Sequence, residues 1–121
     1  MHELSIACDL VDIAGTLARA AHAVAVTVVY LRLGVFSGGV KEALLLGYNT
    51  AVKGTLLEGS RLEIEDVPLV VYCKECHQEQ QLPTIQDFRC PACGCPVTEI
   101  RQGKELELAA MEVIEDEYAV T

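Results

Sequence analysis

Cys73-Lys74-Glu75-Cys76, followed after 13 residues by Cys90-Pro91-Ala92-Cys93-Gly94, places two C-x2-C knuckles at the spacing of a closed tetrahedral metal site. Each knuckle is a turn short enough for two thiolates to converge while backbone amides donate to the sulfurs. Gly94 supplies the permissive backbone that the second turn needs. A structural zinc ion held by Cys73, Cys76, Cys90 and Cys93 is the expected occupant. A rubredoxin-like iron site is the rival, because the second knuckle suits it as well, but only Tyr72 and Phe88 stand nearby to shield an iron. A redox dithiol is a third reading. Cys95 would break the second x2 spacing and reads as a free thiol, Cys8 as a small packed hydrophobe, and His77 as a solvated loop residue or an extra metal-side group. The apolar residues of the module (Val71, Leu82, Ile85, Phe88, Val97) are too few to fold it, so metal binding, worth about 10–16 kcal/mol in small fingers, is expected to supply its stability.

Working outward, Arg61 to Val67 alternates Leu62 and Ile64 with Glu63 and Glu65, and Glu105 to Leu108 alternates again. Both read as strands, with Pro68 limiting the first. A strand on each side of the cysteines predicts a module inserted at the tip of an antiparallel pair. The loop from His77 to Arg89 is polar and is expected to stay out of any core. Ahead of the module, Ser5, Asp9, Asp12, Thr16 and Arg19 recur in steps of four and three opposite Ile6, Leu10, Ile13, Ala14, Leu17 and Ala21, an amphipathic helix. Residues 25–33 are rich in β-branched side chains and read as a buried strand ended by Gly34. Ser37-Gly38-Gly39 supplies a turn into a second helix over residues 40–57, with Val40, Leu44, Tyr48, Ala51 and Thr55 on one face. Leu46 falls on that helix's polar side. After Glu112 the tail is acidic and expected to fray.

The order helix, strand, helix, strand, cysteine module, strand predicts an α+β fold. It has two helices on a three-stranded mixed sheet, with an inserted zinc-ribbon-like module of four cysteines. The expected division is residues 1–70 plus 102–121 in one domain and 71–101 in the zinc-binding domain. Of the 121 residues, 51% are hydrophobic but only 5% aromatic, so the core must be aliphatic. A formal charge of −9 repels phosphate backbones and argues against a nucleic-acid role. The uncharged run of residues 20–31 is too short to span a bilayer, and Glu3 and Asp9 stand where a signal peptide would be basic. The expected compartment is the cytoplasm, where C-x2-C pairs bind metal rather than form disulfides.

The chain opens Met1-His2-Glu3. The terminal amine, the His2 amide nitrogen and the His2 imidazole can close two fused chelate rings, giving three nitrogens in a plane. Such a set suits Ni(II) or Cu(II), with Glu3 offering a further amide nitrogen or a carboxylate. A histidine in position 2 on its own is more often a solvated residue. Taken together, Met1-His2-Glu3-Leu4-Ser5, Leu33-Gly34-Val35-Phe36-Ser37-Gly38, Glu42-Ala43-Leu44, Lys53-Gly54-Thr55 with Glu58-Gly59, Leu62-Glu63-Ile64-Glu65, both knuckles and Gly103-Lys104-Glu105-Leu106 resemble the HypA/HybF family of hydrogenase maturation factors. The resemblance covers residues 1–115 in order. It implies a non-enzymatic nickel metallochaperone that delivers Ni(II) to [NiFe]-hydrogenase precursors and, in some organisms, to urease. It implies His2 as nickel ligand with Met1 and Glu3 in support, and the four cysteines as zinc ligands. The partners it implies are a HypB-type nickel-binding GTPase, the hydrogenase large subunit precursor and urease accessory proteins. A homodimer is compatible with it. The rival classes are a zinc-ribbon interaction module without metal transfer and the iron module.

Overall fold

The computed structural model describes residues 2–35, 40–83 and 85–116, and of His2 only the backbone. Eight elements follow one another: α1 (His2–Ala20), β1 (Ala23–Gly34), α2 (Lys41–Ala51), β2 (Arg61–Val67), β3 (Leu69–Cys73), β4 (Gln78–Leu82), β5 (Glu99–Gln102) and β6 (Leu106–Glu115). Strands β2, β1 and β6 form a mixed three-stranded sheet in that order, and β4, β3 and β5 form a second sheet. The α+β fold expected from the sequence is therefore present. The chain divides into two compact units, residues 1–31, 39–64 and 108–121 in the first and residues 32–38 and 65–107 in the second.

In the first unit, α1 packs against α2 through small residues. Ala7, Ala14 and Ala18 are fully buried, with Leu10 and Val11 beside them. This differs from the expected apolar face in a specific way, since Ile13 and Leu17 are about half exposed. They sit roughly 100° around the helix from the centre of the alanine stripe, at 100° per residue. Close helix packing selects the small side chains and leaves the bulky ones outside. Helix α2 buries Leu44, Gly47 and Tyr48 and stops at Ala51, six residues before the expected end. Its continuation is a series of turns in which Gly54 takes a φ of +78°, which an α-helix cannot accommodate. Leu46 is exposed, as its place on the polar stripe implies. The turn expected at Ser37-Gly38-Gly39 lies outside the described residues.

Strand pairing corrects a second expectation. The strands flanking the cysteine module do not pair with each other, because β1 lies between β2 and β6. β1 is the longest strand and the most buried of the three, whereas β2 and β6 carry exposed charges. A strand with buried backbone on both edges needs two hydrogen-bonding neighbours, and charged strands tolerate the outer positions. Arg32 marks the arrangement, reaching Glu65 at 2.9 Å on one side and Glu107 at 3.5 Å on the other. Strand β6 also continues to Glu115, past the point where fraying was expected, and the Asp116 amide donates to the His22 carbonyl at 2.8 Å.

The second unit contains three strands that the sequence reading passed over. Pro68 ends β2, but Leu69 begins β3 at once, and β3 pairs antiparallel with β4 and β5. The segment from His77 to Arg89 is thus not wholly excluded from the core. Its Gln and Glu side chains face outward from β4 while Leu82 is buried with Leu69, Val71 and Val97, and Phe88 packs against that cluster. Backbone pairing, which is blind to side-chain polarity, makes a strand of a polar stretch.

Candidate metal centre

Strand β3 alternates strictly, with Leu69, Val71 and Cys73 inward. The period of two that builds the small core therefore also delivers the first thiol, 1% exposed, at the end of the same inward row. The chain then turns through Lys74 and Glu75 to Cys76. The second knuckle closes a hairpin: the Val97 amide donates to the Phe88 carbonyl at 2.8 Å, the Cys90 amide to the Cys95 carbonyl at 2.9 Å and the Gly94 amide to the Cys90 carbonyl at 2.8 Å. Arg89 and Pro96 form a bridge in the same hairpin.

The two turns bring Cys73, Cys76, Cys90 and Cys93 together with all four sulfurs within 4.8 Å of one another. Cys73 Sγ lies 3.6 Å from Cys93 Sγ, and Cys76 Sγ lies 3.7 Å from Cys90 Sγ. A tetrahedral ion with metal–sulfur bonds of about 2.3 Å requires sulfurs about 3.8 Å apart, so the spacing fits zinc. Among the described residues this is the cluster able to hold a metal, and Cys95 is outside it. The thiols do not share their protons equally. Hydrogen bonding with the Cys93 thiol first, then with Cys90 and Cys73, pushes Cys76 up to about 12. Burial acts to raise Cys90, but the amides of Cys93 and Ala92 and the thiols of Cys73 and Cys93 outweigh it and leave Cys90 lowered to about 7. Cys90 is thus the first thiolate, and a thiophilic dication would displace the protons held by the others.

Two further residues act here without having been singled out for it. His77 follows Cys76 as Gly94 follows Cys93, and both take a left-handed backbone, with φ of 55° and 77°. The His77 side chain is exposed, so what the structure uses is its backbone. The matching position in the second knuckle was the signal that could have revealed it. The second is Glu105, whose carboxylate accepts the Gly103 amide at 2.7 Å and is held below its ordinary range chiefly by that bond. It fastens a turn in which Gly103, at φ 124°, presses against the backbone and side chain of Leu69.

Of the N-terminal donors, Glu3 is described and half-buried, while Met1 and the His2 imidazole lie outside the described residues. His2 begins α1, so its backbone stands in the helix's first turn. Among the described residues no helix is long and apolar enough to cross a membrane.

Fold and site together define a small two-helix α+β protein bearing a zinc-ribbon-like thiolate centre. Residues 1–113 match the family described as HypA, hydrogenase/urease nickel incorporation, metallochaperone. The chain is 54% identical over 116 residues to the hydrogenase maturation factor HypA of Roseiflexus sp. (strain RS-1), covering 96% of this chain and 94% of that one. It is 46% identical over 112 residues to its namesake in Chloroflexus aggregans, covering 93% and 98%. Its fold is similar to the solution structure of the Ni metallochaperone HypA from Helicobacter pylori, with a TM-score of 0.66 at 22% identity over 94% of this chain and 98% of that one. A solution structure titled as HypA protein gives 0.69 at 25% identity over 96% and 98%. The chain belongs to the HypA family of hydrogenase maturation factors.

Proposed function

We propose that this protein is a cytoplasmic nickel metallochaperone that carries Ni(II) to [NiFe]-hydrogenase precursors and acts as a carrier rather than an enzyme. Nickel is its cargo, bound by the Met1 amine, the amide nitrogen and imidazole of His2, and a further donor at or near Glu3. Residues 1–70 plus 102–121 form the nickel-binding domain, and residues 71–101 form the zinc-binding domain. Zinc at Cys73, Cys76, Cys90 and Cys93 is structural, since four thiolates complete a tetrahedron and leave no position open for exchange. The planar nitrogen set keeps a coordination position open and releases protons on binding, so its cargo can leave. The single observation that carries the reading is the family match that begins at residue 1 and takes in Met1-His2-Glu3 together with both knuckles. A HypB-type GTPase and the hydrogenase large subunit precursor are the partners, with urease accessory proteins where the host has urease.

The test is a Ni(II) titration of zinc-loaded protein with a native N-terminus, beside His2→Ala and a variant with two residues added before Met1. One nickel per chain is expected in the native protein, and both changes should lose it or weaken it greatly while zinc content persists. Unaltered nickel binding in His2→Ala sinks the metallochaperone mechanism and leaves the zinc-ribbon interaction module as the better reading.

A further inference from the structure

Helix α2 begins without a cap of its own. Its N-cap residue is Val40, with extended backbone and an apolar side chain that can accept nothing. In a capping box the N-cap amide is met by a Glu or Gln at the third helical position, which here is Ala43. Instead the Val40 amide donates to Glu3 Oε2, at 3.4 Å, from the first turn of α1. The same turn rests on α2 one helical stretch further along. A Cβ at Gly47 would lie 3.3 Å from Leu4 Cα, 3.4 Å from the Glu3 carbonyl oxygen and 3.5 Å from Ala7 Cβ, so the backbone of α1 comes as close as a side-chain-free residue allows. The turn that carries His2 is thereby held at two points of α2. Meanwhile the amide nitrogens of the first four helical residues stand outside the i→i−4 ladder. A metal can therefore take the His2 and Glu3 amides without breaking an intrahelical bond.

We propose that α2 is the positioning element of the nickel site: Gly47 seats the first turn of α1, and the Val40 amide holds the Glu3 side chain. Glu3 then acts by placing the His2 backbone and offering its own amide nitrogen, and its carboxylate is not a metal ligand. This rests on the nickel reading above and narrows what Glu3 contributes to it.

The experiment compares wild type, Glu3→Gln, Glu3→Ala and Gly47→Val, each zinc-loaded with a native N-terminus. Ni(II) affinity is read by competition with a chromophoric chelator, and the bound ion by its planar d–d absorption. In the nickel-free proteins, exchange of the Val40 amide is followed by NMR. Glutamine keeps an oxygen acceptor for Val40 but is a poor metal ligand, so Glu3→Gln should stay within about threefold of wild type. Glu3→Ala should bind about tenfold more weakly with an unchanged nickel spectrum and faster Val40 exchange, as expected for loss of one charge-assisted hydrogen bond. Gly47→Val, which touches no donor atom, should also weaken binding about tenfold; if it does not fold, Gly47→Ala should show a smaller loss in the same direction. If Glu3→Gln is as damaging as Glu3→Ala and shifts the nickel spectrum, the carboxylate is a ligand and the proposal is wrong. If Glu3→Ala and the Gly47 variants all bind like wild type, the seat on α2 is irrelevant and the proposal is again wrong. Wild type that takes up no nickel overturns the metallochaperone reading itself, and the inference with it, and is told apart by the absence of any difference among variants.

Discussion

Substituting Gly34 by Ala puts the packing of the second unit to its hardest test. Gly34 ends β1, and a Cβ there would fall 2.2 Å from the Gly103 carbonyl oxygen, 2.3 Å from its carbon and 2.7 Å from the Glu105 nitrogen. All three are backbone atoms, so no side chain can rotate out of the way. To reach an ordinary contact the Gly103–Glu105 segment must retreat by about 1 Å, as overpacked sites do at a cost of about 1–3 kcal/mol. The retreat also pulls on the Gly34 amide, which donates to the Glu105 carbonyl at 2.7 Å, and leaving that pair unmet adds about 1–2 kcal/mol. The expected loss is about 3–5 kcal/mol, a large share of a typical domain's stability. Gly59→Ala is the internal control: it has φ of +82° with open space around it, so only backbone strain of about 1 kcal/mol applies. Because two compact units need not unfold together, the assay is native-state hydrogen exchange of zinc-loaded protein, read at the Val35 amide, which donates to the Val67 carbonyl. A Gly34→Ala variant no less protected than Gly59→Ala would refute the steric argument. The same close approach explains why Leu33-Gly34-Val35 and Gly103-Lys104-Glu105, so distant in sequence, both belong to the pattern that marks the family.

Alanine at Cys73, Cys76, Cys90 or Cys93 should abolish the one zinc per chain expected by metal analysis and unfold the β3–β5 module, whereas Cys95→Ala keeps both; the reverse ranking of Cys93 and Cys95 sinks the ligand assignment. His77→Gly should raise the stability of the zinc module by about 0.5–1 kcal/mol, the left-handed strain at φ 55° less the added freedom of the unfolded chain, and a loss in denaturant titration would show that the imidazole itself holds the knuckle. Glu105 has a depressed folded-state pKa, so its stabilisation is complete above the ordinary value of 4.5 and disappears as the pH falls through the lower, folded value. Wild type should therefore lose more stability than Glu105→Gln between neutral pH and that acid range, and parallel urea curves at both pH values would count against the Gly103–Glu105 turn.

Whatever depended on neighbours along the chain could be read from the chain. Two residues between ligands make a knuckle whatever surrounds it, so all four thiols and their exclusion of Cys95 were legible. The spacing of Ser5, Asp9, Asp12, Thr16 and Arg19 is a local property of a helix, and so is the alternation of Leu62 to Glu65. The order of the larger elements followed from these. Tertiary structure decided what depends on residues brought together from afar. Ile13 and Leu17 are as apolar as Leu10, and only the close approach of α2 at Gly47 determines which of them is buried. Nothing adjacent to β2 or β6 reveals that β1 separates them, because a strand's neighbour is chosen by competition among all available edges. The polar stretch Gln78–Leu82 became a strand because β3 needed a partner. His77 and Gly34 likewise owe their demands to a turn and a backbone contact that exist only once the fold has closed, since periodicity is written along the chain and packing is settled between its distant parts.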